Sequence, residues 1–290
     1  MPNIELPDTT WPDCYVWYDQ QYSHRHPAQH CHILCDPRDY SDNAIEQGHS
    51  VLFWIHGGAW RSESARDYVA WARRMVALGY VVVIVEYRLT LRQGNLTEDE
   101  QAGGPDVRHP DHQNDVEAAW KWACQHLADF PCNVSKRWII GGQSVGASMA
   151  LCLARDQLNA PSLVSITVSG LICVNGCYDF PALAQEYPSY RQWITDALGD
   201  ERDGDAWKKM SPQKIDFAHQ RAAWPPVLVL TSRHDELLSP AGAHAFVTLL
   251  TQCGILVESH ESMPGTHLSI VDTEIFFERI RDWSVKHQLI

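Results

Sequence analysis

Residues 138 to 147 read Trp138-Ile139-Ile140-Gly141-Gly142-Gln143-Ser144-Val145-Gly146-Ala147, and their reading decides the fold. The first three are bulky and apolar, as in a buried strand. Beyond Ser144, the residues Ala147, Met149, Ala150, Leu151, Leu153 and Ala154 read as a helix packed on that strand. Gly142-Gln143-Ser144-Val145-Gly146 thus falls at a sharp strand-to-helix turn and spells G-x-S-x-G. Glycine on both sides tolerates a strained backbone and close approach of neighbouring chain. Ser144 is left at the apex, above a helix N-terminus, where an acyl-transfer nucleophile belongs. Five such residues recur by chance, so the rest of the chain has to support them.

Working outward, residues 51–55 and 80–85 are apolar, β-branched strands, the first ended by Gly57-Gly58. Between them Tyr68, Trp71, Met75, Val76 and Leu78 recur at helical spacing until Gly79. Short strands are expected at 15–18 and 31–35, after an irregular N-terminal stretch. Asp115 is read as the N-cap of a helix through Leu127. Further strands are expected over 164–174, 227–230 and 255–258, and helices over 240–252 and 270–287. This alternation defines an α/β fold: a mostly parallel sheet with helices on both faces, in one domain spanning 1–290. Residues 178–215 are polar and broken, which suits a small cap or lid over the carboxyl edge of the sheet.

The chain has 290 residues, 45% of them hydrophobic, enough for one large core. Its 36 acidic residues against 23 basic ones give a net charge of −13, which argues against nucleic acid as a partner. No apolar run is long enough to span a bilayer, and residues 1–8 lack a charged-then-apolar signal segment. A soluble cytoplasmic protein acting on a small molecule, with no membrane partner, is the expectation. The oligomeric state is left open, a homodimer among the options. Nine cysteines, an odd number with no secretory signal, are expected as free thiols. The cluster His24, His26, His30, Cys31, His32 and Cys35 matches no standard zinc spacing, so no metal is expected.

A serine nucleophile needs a base, a group that orients the base, and donors for an oxyanion. Asp235 follows the 227–230 strand and His267 follows the next one, in Pro264-Gly265-Thr266-His267. The order Ser144, Asp235, His267, each on a loop after a strand, is that of a Ser-Asp-His triad on a parallel sheet. Glu236 is the rival acid, and His260 the rival base, at a strand end. Oxyanion donors are expected from Gly57 and Gly58, in Ile55-His56-Gly57-Gly58-Ala59-Trp60, and from the N–H of Val145.

With His56-Gly57-Gly58-Ala59-Trp60, Asn175-Gly176-Cys177-Tyr178-Asp179-Phe180, Glu186-Tyr187-Pro188-Ser189-Tyr190 and Asp235-Glu236-Leu237-Leu238, the chain resembles the kynurenine formamidase (arylformamidase) branch of the α/β hydrolases over residues 50–285. Gln143 stands where relatives often carry histidine. The resemblance implies hydrolysis of N-formyl-L-kynurenine to L-kynurenine and formate, in tryptophan catabolism, without a cofactor. It implies attack by Ser144, with His267 as base and Asp235 as orienter. Trp60, Tyr187 and Tyr190 would then bound the aromatic ring. The alternatives are a carboxylesterase or other hydrolase acting on a larger ester or amide, and a non-catalytic binder of small molecules.

Overall fold

A computed structural model describes residues 7–40, 48–91, 103–104, 106–159, 166–202, 205–219 and 221–290. The strands are β1 (Asp8–Trp11), β2 (Cys14–Gln21), β3 (His30–Cys35), β4 (His49–Ile55), β5 (Tyr80–Val85), β6 (Leu89–Thr90), β7 (Gly103–Gly104), β8 (Val134–Gln143), β9 (Thr167–Val174), β10 (Val227–Ser232) and β11 (Val257–Met263). The helices are α1 (Val69–Ala77), α2 (Asp111–His126), α3 (Val145–Asn159), α4 (Phe180–Glu186), α5 (Arg191–Leu198), α6 (Ala206–Lys209), α7 (Pro240–Gln252) and α8 (Glu274–Lys286).

Nine strands form one sheet in the order β1-β2-β3-β5-β4-β8-β9-β10-β11, while β6 and β7 pair separately. The three pairings at the β1 edge are antiparallel, and every pairing from β5 to β11 is parallel. Alternation along the strands splits the core into two layers. Val51, Phe53, Ile55, Val81, Val83 and Val85 pack with residues of α2 and α3 on one face. Leu52, Trp54, Tyr80, Val82 and Ile84 pack with residues of α1 and α8 on the other. Burial on both faces is why these strands carry unbroken apolar runs.

Some expectations shift. The N-terminal stretch read as irregular contains β1, paired antiparallel with β2. The helix assigned to start at Asp115 starts a turn earlier, at Asp111. Asp115 is not its cap: it is 2% exposed inside α2, where it accepts from the Arg88 guanidinium at 2.8 Å and Gln29 Nε2 at 2.7 Å. A buried carboxylate that answers two distant donors has no role left at a helix end. The strand expected at 255–258 runs later, Val257–Met263.

Residues 178–215 hide an apolar stripe behind their polar pattern. Phe180, Trp193, Ile194, Trp207 and Met210 are buried, and the Trp193 ring lies 5.9 Å from that of Trp60. The nine cysteines are all free thiols. Two residues of the His/Cys-rich stretch, His30 and His32, converge on Asp19, with His30 Nε2 at 3.3 Å from its carboxylate and Arg66 at 3.0 Å. Among the described residues, no helix is long and apolar enough to cross a membrane.

Candidate active site

The strand order carries the loops of interest to one edge. β4 and β8 are neighbours with Ile55 opposite Gly142, so the loop after β4 begins beside the turn after β8. β9 bridges β8 to β10: Val174 pairs with both Gln143 and Leu230. β10 and β11 then deliver the loops of Asp235 and His267.

At the turn, Ser144 has φ 55, a left-handed conformation that costs a non-glycine residue about 1–2 kcal/mol. Its backbone is held by Ser144 N–H donating to Val174 O at 2.9 Å. Both flanking glycines are required by contact. A Cβ on Gly142 would stand 2.4 Å from the carbonyl carbon of Gly146, and one on Gly146 would stand 2.2 Å from Ile55 O. The helix start is thereby pressed against the end of β4. The Ser144 residue retains 8% exposure.

Asp235 and His267 meet as expected: Nδ1 of His267 lies 2.7 Å from Oδ2 of Asp235, with both side chains almost wholly buried. The other carboxylate oxygen accepts from Leu237 N–H at 2.9 Å and Leu238 N–H at 2.8 Å, which fixes the carboxylate. Glu236 plays a different part, accepting the backbone N–H of His267 at 2.9 Å. His260 lies away from Ser144, in contact with Glu258 at 3.2 Å. The Ser144 hydroxyl rests 4.0 Å from Cys177 Sγ and makes no hydrogen bond to the His267 imidazole. Burial pushes the Cys177 thiol up to about 12, so it stays neutral.

The loop after β4 is strained. Among the described residues seven non-glycines have positive φ, and five (Ala59, Trp60, Glu63, Ser144 and Asn175) surround this site, where strained backbone tends to collect. Gly58 has φ +82. The N–H groups of Gly58 and Val145 have no acceptor among the described residues. Gly57 departs from expectation, because its N–H already donates to Glu63 Oε2 at 3.2 Å. Beneath the loop, Tyr87 stacks on His56 at 4.2 Å and donates to Gly57 O at 2.8 Å. Burial alone would push the Glu86 carboxyl up, but His56 at 3.3 Å and the Ala65 N–H at 2.7 Å together hold it below its usual range.

The three aromatics expected around a substrate ring divide. Trp60 is corrected: its side chain is fully buried against Phe180 and Met149 and presents no surface. Tyr187 and Tyr190 stack at 4.9 Å and are partly exposed. They also hold the acid loop, Tyr190 donating to Leu237 O and Tyr187 accepting from Ser239 N–H, each at 2.9 Å. Residue-by-residue reading missed Asn175, whose Nδ2 donates to His267 O at 2.9 Å and whose Oδ1 accepts Ser232 N–H at 2.8 Å. No local signal in Val174-Asn175-Gly176 announces that bridge.

The chain belongs to the α/β hydrolase fold family, whose model matches residues 52–270. Within it, the chain is similar to a kynurenine formamidase of Meyerozyma guilliermondii, 26% identical over 226 residues covering 76% of this chain and 78% of the relative. It is also similar to human carboxylesterase 3, 34% identical over 136 residues that cover 46% of this chain and 22% of that one. In three dimensions it is similar to esterase B of Lactobacillus rhamnosis, with a TM-score of 0.74 at 13% identity, covering 98% of this chain and 87% of that one. Fold, family and relatives together support a hydrolase function.

Proposed function

We propose that the chain is a serine hydrolase that cleaves the formamide of N-formyl-L-kynurenine to L-kynurenine and formate. The observation that carries this reading is the buried 2.7 Å pair of His267 and Asp235 beside Ser144 at its strained turn, in a chain similar to kynurenine formamidases over most of its length. In this mechanism the Ser144 oxygen attacks the formyl carbon while His267 Nε2 takes its proton, and Asp235 holds the imidazole in the required tautomer. The N–H groups of Gly58 and Val145 receive the oxyanion. His267 then protonates the departing arylamine. A water deprotonated by the same imidazole releases formate from Ser144. Cys177, with its sulfur against the Ser144 hydroxyl, leaves little room for an acyl chain on that side, which suits a formyl group. The stacked Tyr187 and Tyr190 offer an aromatic wall for the arylamine.

The second reading, a carboxylesterase, is favoured by the match to human carboxylesterase 3. Purified protein offered N-formyl-L-kynurenine and p-nitrophenyl acetate, with Ser144→Ala as control, separates the two. Turnover of the formamide that vanishes in Ser144→Ala is expected. Rapid turnover of the ester with none of the formamide would overturn the formamidase assignment and leave the esterase.

A further inference from the structure

Gln143, the variable residue of the G-x-S-x-G turn, is 1% exposed and is used at both ends of its amide. Nε2 donates to the backbone carbonyl of His267 at 2.5 Å, and Oε1 accepts from the Tyr68 hydroxyl at 2.9 Å. The orientation is forced: turned over, the amide would set its oxygen against the carbonyl of His267. Tyr68 in turn lies 2.7 Å from Glu63 Oε2, the atom that accepts the Gly57 N–H. A continuous run of polar contacts therefore passes Gly57, Glu63, Tyr68, Gln143 and His267, joining the loop after β4 to the loop after β11, with one Tyr68 proton between two acceptors.

We propose that Glu63, Tyr68 and Gln143 are a positioning unit that sets the β4 loop and the His267 loop relative to Ser144; the proposal rests on the serine hydrolase reading above. Its geometry contains a competition. A phenol carries one proton, so Tyr68 donates to Glu63 or to Gln143 but not to both at once. Burial first, and the Glu63 carboxylate second, raise the Tyr68 phenol well above its usual range, so that proton stays on the ring. Whichever oxygen it faces is held, and the other is released. Tightening one loop thus loosens the hold on the other. Asn175, the second donor to His267 O, keeps that carbonyl in place but has no link to Gly57 and cannot substitute for the unit.

Two variants test this. Gln143→Glu keeps the shape of the side chain but replaces the donor to His267 O by an acceptor. Tyr68→Phe removes only the shared proton and its oxygen. Each is assayed for kcat, KM and pH profile on p-nitrophenyl acetate and on N-formyl-L-kynurenine, with thermal unfolding to establish folding. The downfield Nδ1 proton of His267 is followed by NMR without substrate. For Gln143→Glu the expected result is a fall in kcat of about 10–100-fold, the scale of a small misplacement of catalytic groups, with KM unchanged and equal losses on every substrate cleaved. Tyr68→Phe should lose less, and both should displace the His267 resonance and the pH profile. Wild-type kcat, pH profile and resonance in two folded variants would overturn the inference. Absence of formamide turnover by the unmutated protein would count against the formamidase reading alone, because the ester and the resonance still read the positioning unit.

Discussion

The two sides of Ser144 are built on different principles. On the side of Asp235 and His267 the site is made of side chains: an imidazole at 2.7 Å from a carboxylate that is itself held by two backbone N–H groups. On the side of Gly57 and Gly58 it is made of backbone, in a loop where Ala59, Trp60 and Glu63 all have positive φ. That loop is braced from within by Glu63 and from outside by Tyr87. The difference teaches which changes each side tolerates. A side-chain substitution should disable the first side without disturbing the fold, whereas the second side is sensitive to an added Cβ and to the residues that brace it.

The largest test is Ser144→Ala, which removes the atom that both sides serve in the proposed mechanism. Turnover should fall on the order of 10⁴- to 10⁶-fold while the unfolding midpoint stays put; substantial residual activity would mean another nucleophile. Next, Asp235→Asn should cost about 10⁴-fold in kcat by favouring the wrong imidazole tautomer. Glu236→Gln, which touches only the His267 backbone N–H, should cost about tenfold or less. Equal losses at the two positions would erase the distinction between acid and brace. Gly58→Ala probes the backbone side, since φ is +82 and a Cβ would lie 3.1 Å from the Glu63 backbone nitrogen. A rate loss of about 10²-fold with about 1–2 kcal/mol of destabilisation is expected from kinetics and urea melts.

A further test concerns acid stability rather than turnover. His112 lies 6.0 Å from Trp60, and burial, then His109 and Arg88, depress its pKa to about 3. Burial and then His30 depress that of His32 to about 4. Unfolding returns both to about 6.5, so between that value and their folded values the unfolded chain binds more protons than the folded one. Stability should therefore fall as pH drops from about 6.5 toward 4, by up to about 1.4 kcal/mol per pH unit for each histidine. Urea midpoints from pH 7 to 4.5, compared with His112→Gln, would show it; an unchanged slope in the variant would remove His112 from the account.

The alternation of strands and helices, the turn at Ser144, and the partners Asp235 and His267 were all legible, because each depends on a local pattern placed by a regular parallel sheet. Other features were not. Trp60 follows the His56-Gly57-Gly58 turn and is expected from the sequence to bound a substrate ring, yet the packing of Phe180 and Trp193 over it closes it off. Asp115 had the residue type of a cap, but Arg88 and Gln29, 27 and 86 positions away, claim it. Gly57 reads as a free donor in the sequence, but Glu63, six residues on, takes its N–H.

By itself, the sequence determined the class of fold, the sharp turn at Ser144 and the loops that carry Asp235 and His267, because strand periodicity, paired glycines and loop position are short-range properties of the chain. Tertiary structure alone decided which N–H groups remain free, which aromatic rings show a face, and that Gln143 ties two loops together. Those outcomes depend on contacts between residues far apart in the chain, and on which donor finds which acceptor once water has been excluded.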